Sequence, residues 1–132
     1  MKAYYIDPIL EFVAEVSYSG DYKEIYKWIQ AKTFDVVNIN SYGDGLYVDD
    51  EGLLKEKNYY YSLPVYRYNS EKLEGKYELQ TYAGKSIIIG LDGNGDSDDV
   101  KGLSFDLLKD RIKWHGMIHR NNLNIRSMAI WQ

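Results

Sequence analysis

Asp92, Asn94 and Asp96 stand at alternate positions in the stretch GLDGNGDSDDV, with Asp98 and Asp99 behind them, the side-chain types and spacing from which hard-cation loops are built. Counted from Asp92, the sixth, eighth and twelfth positions hold Ser97, Asp99 and Leu103, where a calcium loop wants a glycine, an apolar residue and a bidentate glutamate. The stretch also follows an apolar run of strand character, whereas the calcium motif follows a helix. It reads as a connection in which Gly93 and Gly95 supply backbone freedom and the acids supply solvation.

Other constellations fail on similar grounds. His115 and His119 can share an ion only if their segment is helical; as a strand, four residues span about 13 Å, and neither case brings a third ligand. The stretch AGKS (residues 83–86) echoes the end of a phosphate-binding loop, but it lacks the upstream glycine and leads into the apolar strand SIIIG where a helix is required. Asp49, Asp50 and Glu51 are neighbours at a turn, a poor placement for two carboxylates flanking a substrate, and no serine lies in a nucleophile elbow. The expectation is a non-enzyme with no metal and no cofactor.

A chain of 132 residues fits one domain, long enough to bury roughly two thirds of its unfolded surface. Without cysteine, a disulfide framework, a zinc-thiolate site and a thiol nucleophile are excluded together. The opening MKAYYIDPILEFVAEV carries Asp7, Glu11 and Glu15, which break the apolar core of a signal peptide, and no later run approaches the ~18 residues that span a bilayer. Cytoplasmic residence without membrane contact is expected. The net charge of −4 is uneven: residues 1–99 hold 10 basic against 18 acidic side chains, and residues 100–132 hold 6 against 2. Fourteen tyrosines, all between Tyr4 and Tyr82, cluster in NYYYSLPVYRY; they suit strand packing, or a partner-facing aromatic surface.

Hydrophobic periodicity places these residues on elements. Residues 2–8 and 11–18 read as a strand hairpin, followed by a helix over 21–31 whose Asp21 and Glu24 form a capping-box-like start and whose Tyr22, Ile25, Tyr26 and Ile29 share a face. Residues 34–40 are a strand by β-branched content, and VDDEGLLK a tight turn in which Gly52 can take a positive φ. Residues 58–68 are a strand with an edge or bulge at Pro64, and 69–81 an inserted hairpin or loop. SIIIG is a central strand covered on both faces; Ser104 caps a short helix over 104–110, and 112–119 alternates in a way that suits a strand at least as well as a continuation of that helix. Residues 118–132 form a C-terminal extension able to pair with a neighbouring copy, so a homo-oligomer is an expected assembly. The fold class is α+β in one domain, a mainly antiparallel sheet packed against one main and one short helix.

The order of the opening M-K-A-x-x-I-D-P, the G-D-Y-K-x-I-Y helix, the F-D-V-V strand, the V-D-D-E-G-L turn and the A-G-K-x-I-I-I-G strand resembles a group of small tailed-phage and prophage proteins without an assigned activity. The likeness covers most of residues 1–115, with RYNSEKLEGKYELQT and the tail after Met117 departing from it. The resemblance implies a phage accessory protein of the host cytoplasm and transfers no catalytic residue. The expected function is a non-catalytic protein-binding module that modulates a host factor, with a host or phage protein as partner. The alternative is a binder of a nucleotide or single-stranded nucleic acid, its bases stacked on tyrosines and its phosphates met by C-terminal basic residues. The candidate contact residues are Tyr59, Tyr61, Tyr66, Tyr68, Arg67, Arg120 and Arg126.

Overall fold

The structure, a computed structural model, describes residues 1–122. In chain order it contains β1 (Lys2–Asp7), β2 (Phe12–Ser17), α1 (Lys23–Ile29), β3 (Phe34–Asn38), β4 (Gly45–Asp49), a 3-10 turn (Gly52–Leu54), β5 (Lys57–Asn69), β6 (Glu74–Ala83), β7 (Ser86–Leu91), the short β8 (Ser97–Asp98), α2 (Phe105–Arg111), β9 (Lys113–His119) and a closing 3-10 turn (Arg120–Asn122). The α+β class stands. The strands divide into two antiparallel sheets where the sequence suggested one: a larger sheet in the order β2-β1-β7-β4-β3, with β8 beside β7, and a smaller sheet in the order β6-β5-β9.

β7 explains the layering. Its Ile87, Ile88 and Ile89 are all fully buried, and in a pleated strand consecutive side chains leave by opposite faces, so each face needs its own cover. Ile87 and Ile89 pack with Ile25 and Ile29 of α1, while Ile88 packs with Tyr61, Leu63, Val65 and Tyr82 of the smaller sheet. Each such isoleucine contributes about 2 kcal/mol by leaving water. α2 closes the side of the second layer through Leu108, its first turn held by Ser104, whose Oγ accepts from the Leu107 amide at 3.1 Å.

Local details amend the sequence reading. The α1 entry uses Glu24, but its carboxylate reaches back to Ser19, accepting from the Ser19 amide at 3.0 Å, two residues before the expected cap. Gly52 does not adopt a positive φ; its value is space, because a Cβ there would meet the Ala83 carbonyl oxygen at 3.1 Å. Residues 69–81 are the turn and most of β6, paired to β5 without a break from Tyr60↔Ala83 to Asn69↔Glu74. The anticipated extension from residue 118 begins inside β9, with Ile118 paired to Asn58; the tail beyond Asn122 lies outside the described residues. β9 carries a bulge, since Gly116 faces Tyr60 while Trp114 faces Tyr61, and Gly116 supplies the positive φ of +73° for it. β9 pairing ends at Ser62, so Pro64 sits where β5 has lost that neighbour, as a residue without an amide proton requires.

A buried polar knot ties the layers. Asp44, fully buried, accepts from the Lys101 amide at 2.9 Å, the Gly102 amide at 2.7 Å and Asn40 Nδ2 at 2.8 Å, fixing the approach to α2. Tyr42 lies against Gly102, where a Cβ would come within 2.3 Å of the ring. By contrast the Tyr60 hydroxyl is buried with no hydrogen-bond partner among the described residues.

Two stability differences are expected. Asp44→Ala deprives the buried Asn40 amide and the partly buried Lys101 and Gly102 amides of their acceptor and lowers unfolding free energy by about 3 kcal/mol. Tyr60→Phe removes an uncompensated buried hydroxyl and raises it by up to about 1 kcal/mol. Urea unfolding of the two variants beside the parent checks both signs; a neutral Asp44→Ala would show that water replaces the carboxylate without cost.

Candidate binding surface

The β5–β6 register decides which side chains share the outer face of the smaller sheet. Pro64, Tyr66 and Tyr68 oppose Leu79, Tyr77 and Gly75, and the alternate residues Leu63 and Val65 enter the core, so the first set must point away from it. Tyr66 lies across Gly75, where a Cβ would come within 1.8 Å of its hydroxyl, and meets the Tyr77 ring edge-on at 5.5 Å between centroids. A bare glycine thus gives the tyrosine a bed on its neighbouring strand. Tyr68 and Tyr77 remain 59% and 56% exposed, and Leu79 extends the apolar strip.

At the hairpin tip, Asn69 Oδ1 accepts from the Glu71 and Lys72 amides at 3.0 and 3.1 Å, which curls the chain so that Leu73 takes φ +51° with its side chain 78% exposed. That backbone region favours glycine or asparagine, and an exposed leucine there gains no burial in return.

The strip borders a groove. Where β5 has lost β9, an opening of about 310 Å³ lies between β5, residues 101–103 and α2. Ile39, Leu63, Pro64, Leu103, Leu107 and Leu108 wall it, and Asn40, Tyr77, Gly102 and Arg111 complete its lining.

The sequence candidates are dispersed. Tyr66 and Tyr68 share the strip. Tyr61 is corrected to a core residue: it is fully buried and donates to Ser86 Oγ at 2.5 Å, and burial holds its phenol far above the ordinary range. Arg67 alternates onto the opposite face, and Tyr59 is half-buried against Met117 of β9. Arg120 is spent on structure, its amide donating to Glu56 O at 2.6 Å and its Nη1 to Leu54 O at 2.9 Å. It adjoins the Lys57 end of β5, about 36 Å along the strand from Tyr68. Arg126 lies outside the described residues. Tyr77, Leu79 and Leu73 were missed; only the pairing of the hairpin arms brings them beside Tyr66 and Tyr68.

Of the fourteen tyrosines, seven are buried and four are exposed, so the composition mainly builds core. Asp92 Oδ1 accepts from the Asn94 and Asp96 amides at 2.8 and 3.0 Å, Asp99 Oδ1 from the Lys2 amide at 2.7 Å, and Asp98 pairs with Lys101 at 3.0 Å. These acids hold their own loop and its neighbours. Lys85 donates to Gln30 Oε1 at 2.9 Å in the turn before β7, and Asp49 accepts from the Glu51 amide at 2.9 Å and pairs with Lys55 at 3.1 Å. Among the described residues no group of three or more metal-ligating side chains is gathered.

One polar chain was not anticipated. The bulge sets His115 Nε2 2.6 Å from Ser62 Oγ, which lies 2.7 Å from Thr81 Oγ1. Ser62 is 1% exposed, which denies its oxygen the approach that a nucleophile needs. The chain is a cross-strand clasp. Burial, followed by the charge of Lys113, holds the His115 imidazole below its ordinary value of 6.5.

No protein-family model, curated protein or solved structure matches this chain.

Because the unfolded chain binds the His115 proton more readily than the folded one, this group's contribution to stability is complete above pH about 6.5 and declines as pH falls below it. Melting temperatures recorded between pH 7.5 and 5 are expected to fall less steeply for His115→Gln than for the parent; parallel curves would remove the linkage.

Proposed function

We propose that this is a non-catalytic phage accessory protein that works as a protein-binding module, modulating a host factor in the host cytoplasm, with the outer face of the β5–β6 hairpin as its contact surface. The observation that carries the reading is the solvent-facing strip of Tyr66, Tyr68, Tyr77 and Leu79 leading to Leu73, an exposed apolar side chain held on backbone that disfavours it. Rigid tyrosines offer large contact area at small entropic cost and are enriched where protein interfaces concentrate their affinity. The phage setting follows from the sequence resemblance alone. Stacking of nucleotides with phosphate capture finds less support, because the strip and Arg120 stand at opposite ends of β5.

Gentle recovery of the tagged protein from host cells, followed by native mass spectrometry, is expected to give the chain with an added polypeptide. Tyr68→Ala with Tyr77→Ala should reduce that capture at least tenfold while leaving the unfolding midpoint within experimental scatter. Leu73→Gly should weaken capture without loss of stability, because glycine relieves the left-handed backbone. Retention of the partner by these variants, or an adduct of nucleotide mass in place of a polypeptide, would count against the reading.

A further inference from the structure

We propose that the groove between β5 and α2 is a binding site for a small amphipathic monocarboxylate, its apolar body against Leu63, Leu103 and Leu107 and its carboxylate on Arg111. The site follows from local chemistry. Pro64 and the end of β9 pairing open one flank of β5, and Asp44 pins the Lys101 and Gly102 amides at 2.9 and 2.7 Å, so the opposite wall is held apart from it. Leu107 is left 38% exposed at an opening of about 310 Å³, the size range in which small-ligand sites begin. Arg111 stands four residues after Leu107, hence one turn along the same helix face and beside the apolar wall.

Two observations select the ligand. Arg111 forms no hydrogen bond or ion pair with the described residues, and no acidic side chain lines the groove. A guanidinium stays charged and presents paired donors that match a carboxylate in bidentate fashion, so it supplies the missing half of a charge pair. Since Asn40 Nδ2 is already given to Asp44 at 2.8 Å, one cation faces the space, enough for a monoanion and too little for a dianion against apolar walls. The volume holds roughly ten water-sized groups, which corresponds to an acid of about eight to ten carbons. A solvated arginine favoured by the negative end of α2 is the plainer account of this residue, and it predicts no preference among apolar ligands.

Calorimetry with octanoate, octanol and octylamine at concentrations below micelle formation separates the two. The expected result is saturable 1:1 binding of octanoate, about tenfold tighter than octanol, with octylamine weakest. Arg111→Gln should weaken octanoate about tenfold and leave octanol unchanged, whereas Leu107→Gln should weaken both; amide shifts on octanoate addition should centre on residues 101–111. Equal affinity for acid and alcohol, unchanged octanoate binding by Arg111→Gln, shifts centred elsewhere, or no saturation would overturn the site. Loss of partner capture in Tyr68→Ala alone, a residue outside the groove lining, with octanoate binding unchanged, is a separate readout, so the two proposals can fail independently.

Discussion

The architecture depends on burying both faces of β7. Three consecutive isoleucines cannot be satisfied by one layer, since a strand sends alternate side chains to opposite sides. One cover is α1, whose Ile25 and Ile29 meet Ile87 and Ile89; the other is the smaller sheet, whose Tyr61, Leu63 and Tyr82 meet the side occupied by Ile88. β1 and β4 flank β7 and satisfy its backbone, and Gly90 lets the Asp99 carbonyl approach to a distance at which a Cβ would stand 2.0 Å away.

From that requirement the exposed features follow. The smaller sheet places one face on the larger sheet; its other face is buried at Tyr60 and Ser62 and open to solvent or to a partner only toward Tyr68, Tyr77 and Leu79. β5, at 13 residues, is nearly twice as long as the 7-residue β9, so part of it extends past that strand, where the Tyr66 amide donates instead to Ile39 O at 3.0 Å. In this part beyond β9 lie Pro64, the tyrosine strip and the groove. The β9-paired part is tied differently, through the Gly116 bulge that brings His115 onto Ser62 and through Arg120, which anchors the strand exit to the turn before β5.

Several elements were readable from periodicity because short-range geometry decides them. The first hairpin, the α1 stripe of Ile25 and Ile29, the doubly covered β7 and the Ser104 cap all lie where the pattern put them. Tyrosine was the weak signal. It is apolar enough for the core and polar enough for the surface, so NYYYSLPVYRY could not say which rings face out. Strand parity narrows the choice: Tyr61 and Arg67 are an even number of residues apart and share one face, while Tyr66 and Tyr68 share the other. A surface combining all four was therefore incompatible with one regular strand, a constraint available in the sequence.

By itself the sequence determined the strand and helix periods, the turns, the helix cap and the inability of the Asp92 loop to meet an EF-hand pattern, because each rests on residues within about a dozen positions of one another. Only the tertiary structure decided that the strands form two sheets, that Tyr61 is interior, and that Tyr77, Leu79 and Leu73 join Tyr66 and Tyr68. It alone decided also that Asp44 meets Lys101 and Gly102, 57 and 58 residues away, and that Arg111 stands beside an apolar opening. Local patterns specify the direction in which a side chain leaves its own backbone; what it meets there depends on which distant segment buries the remaining apolar surface.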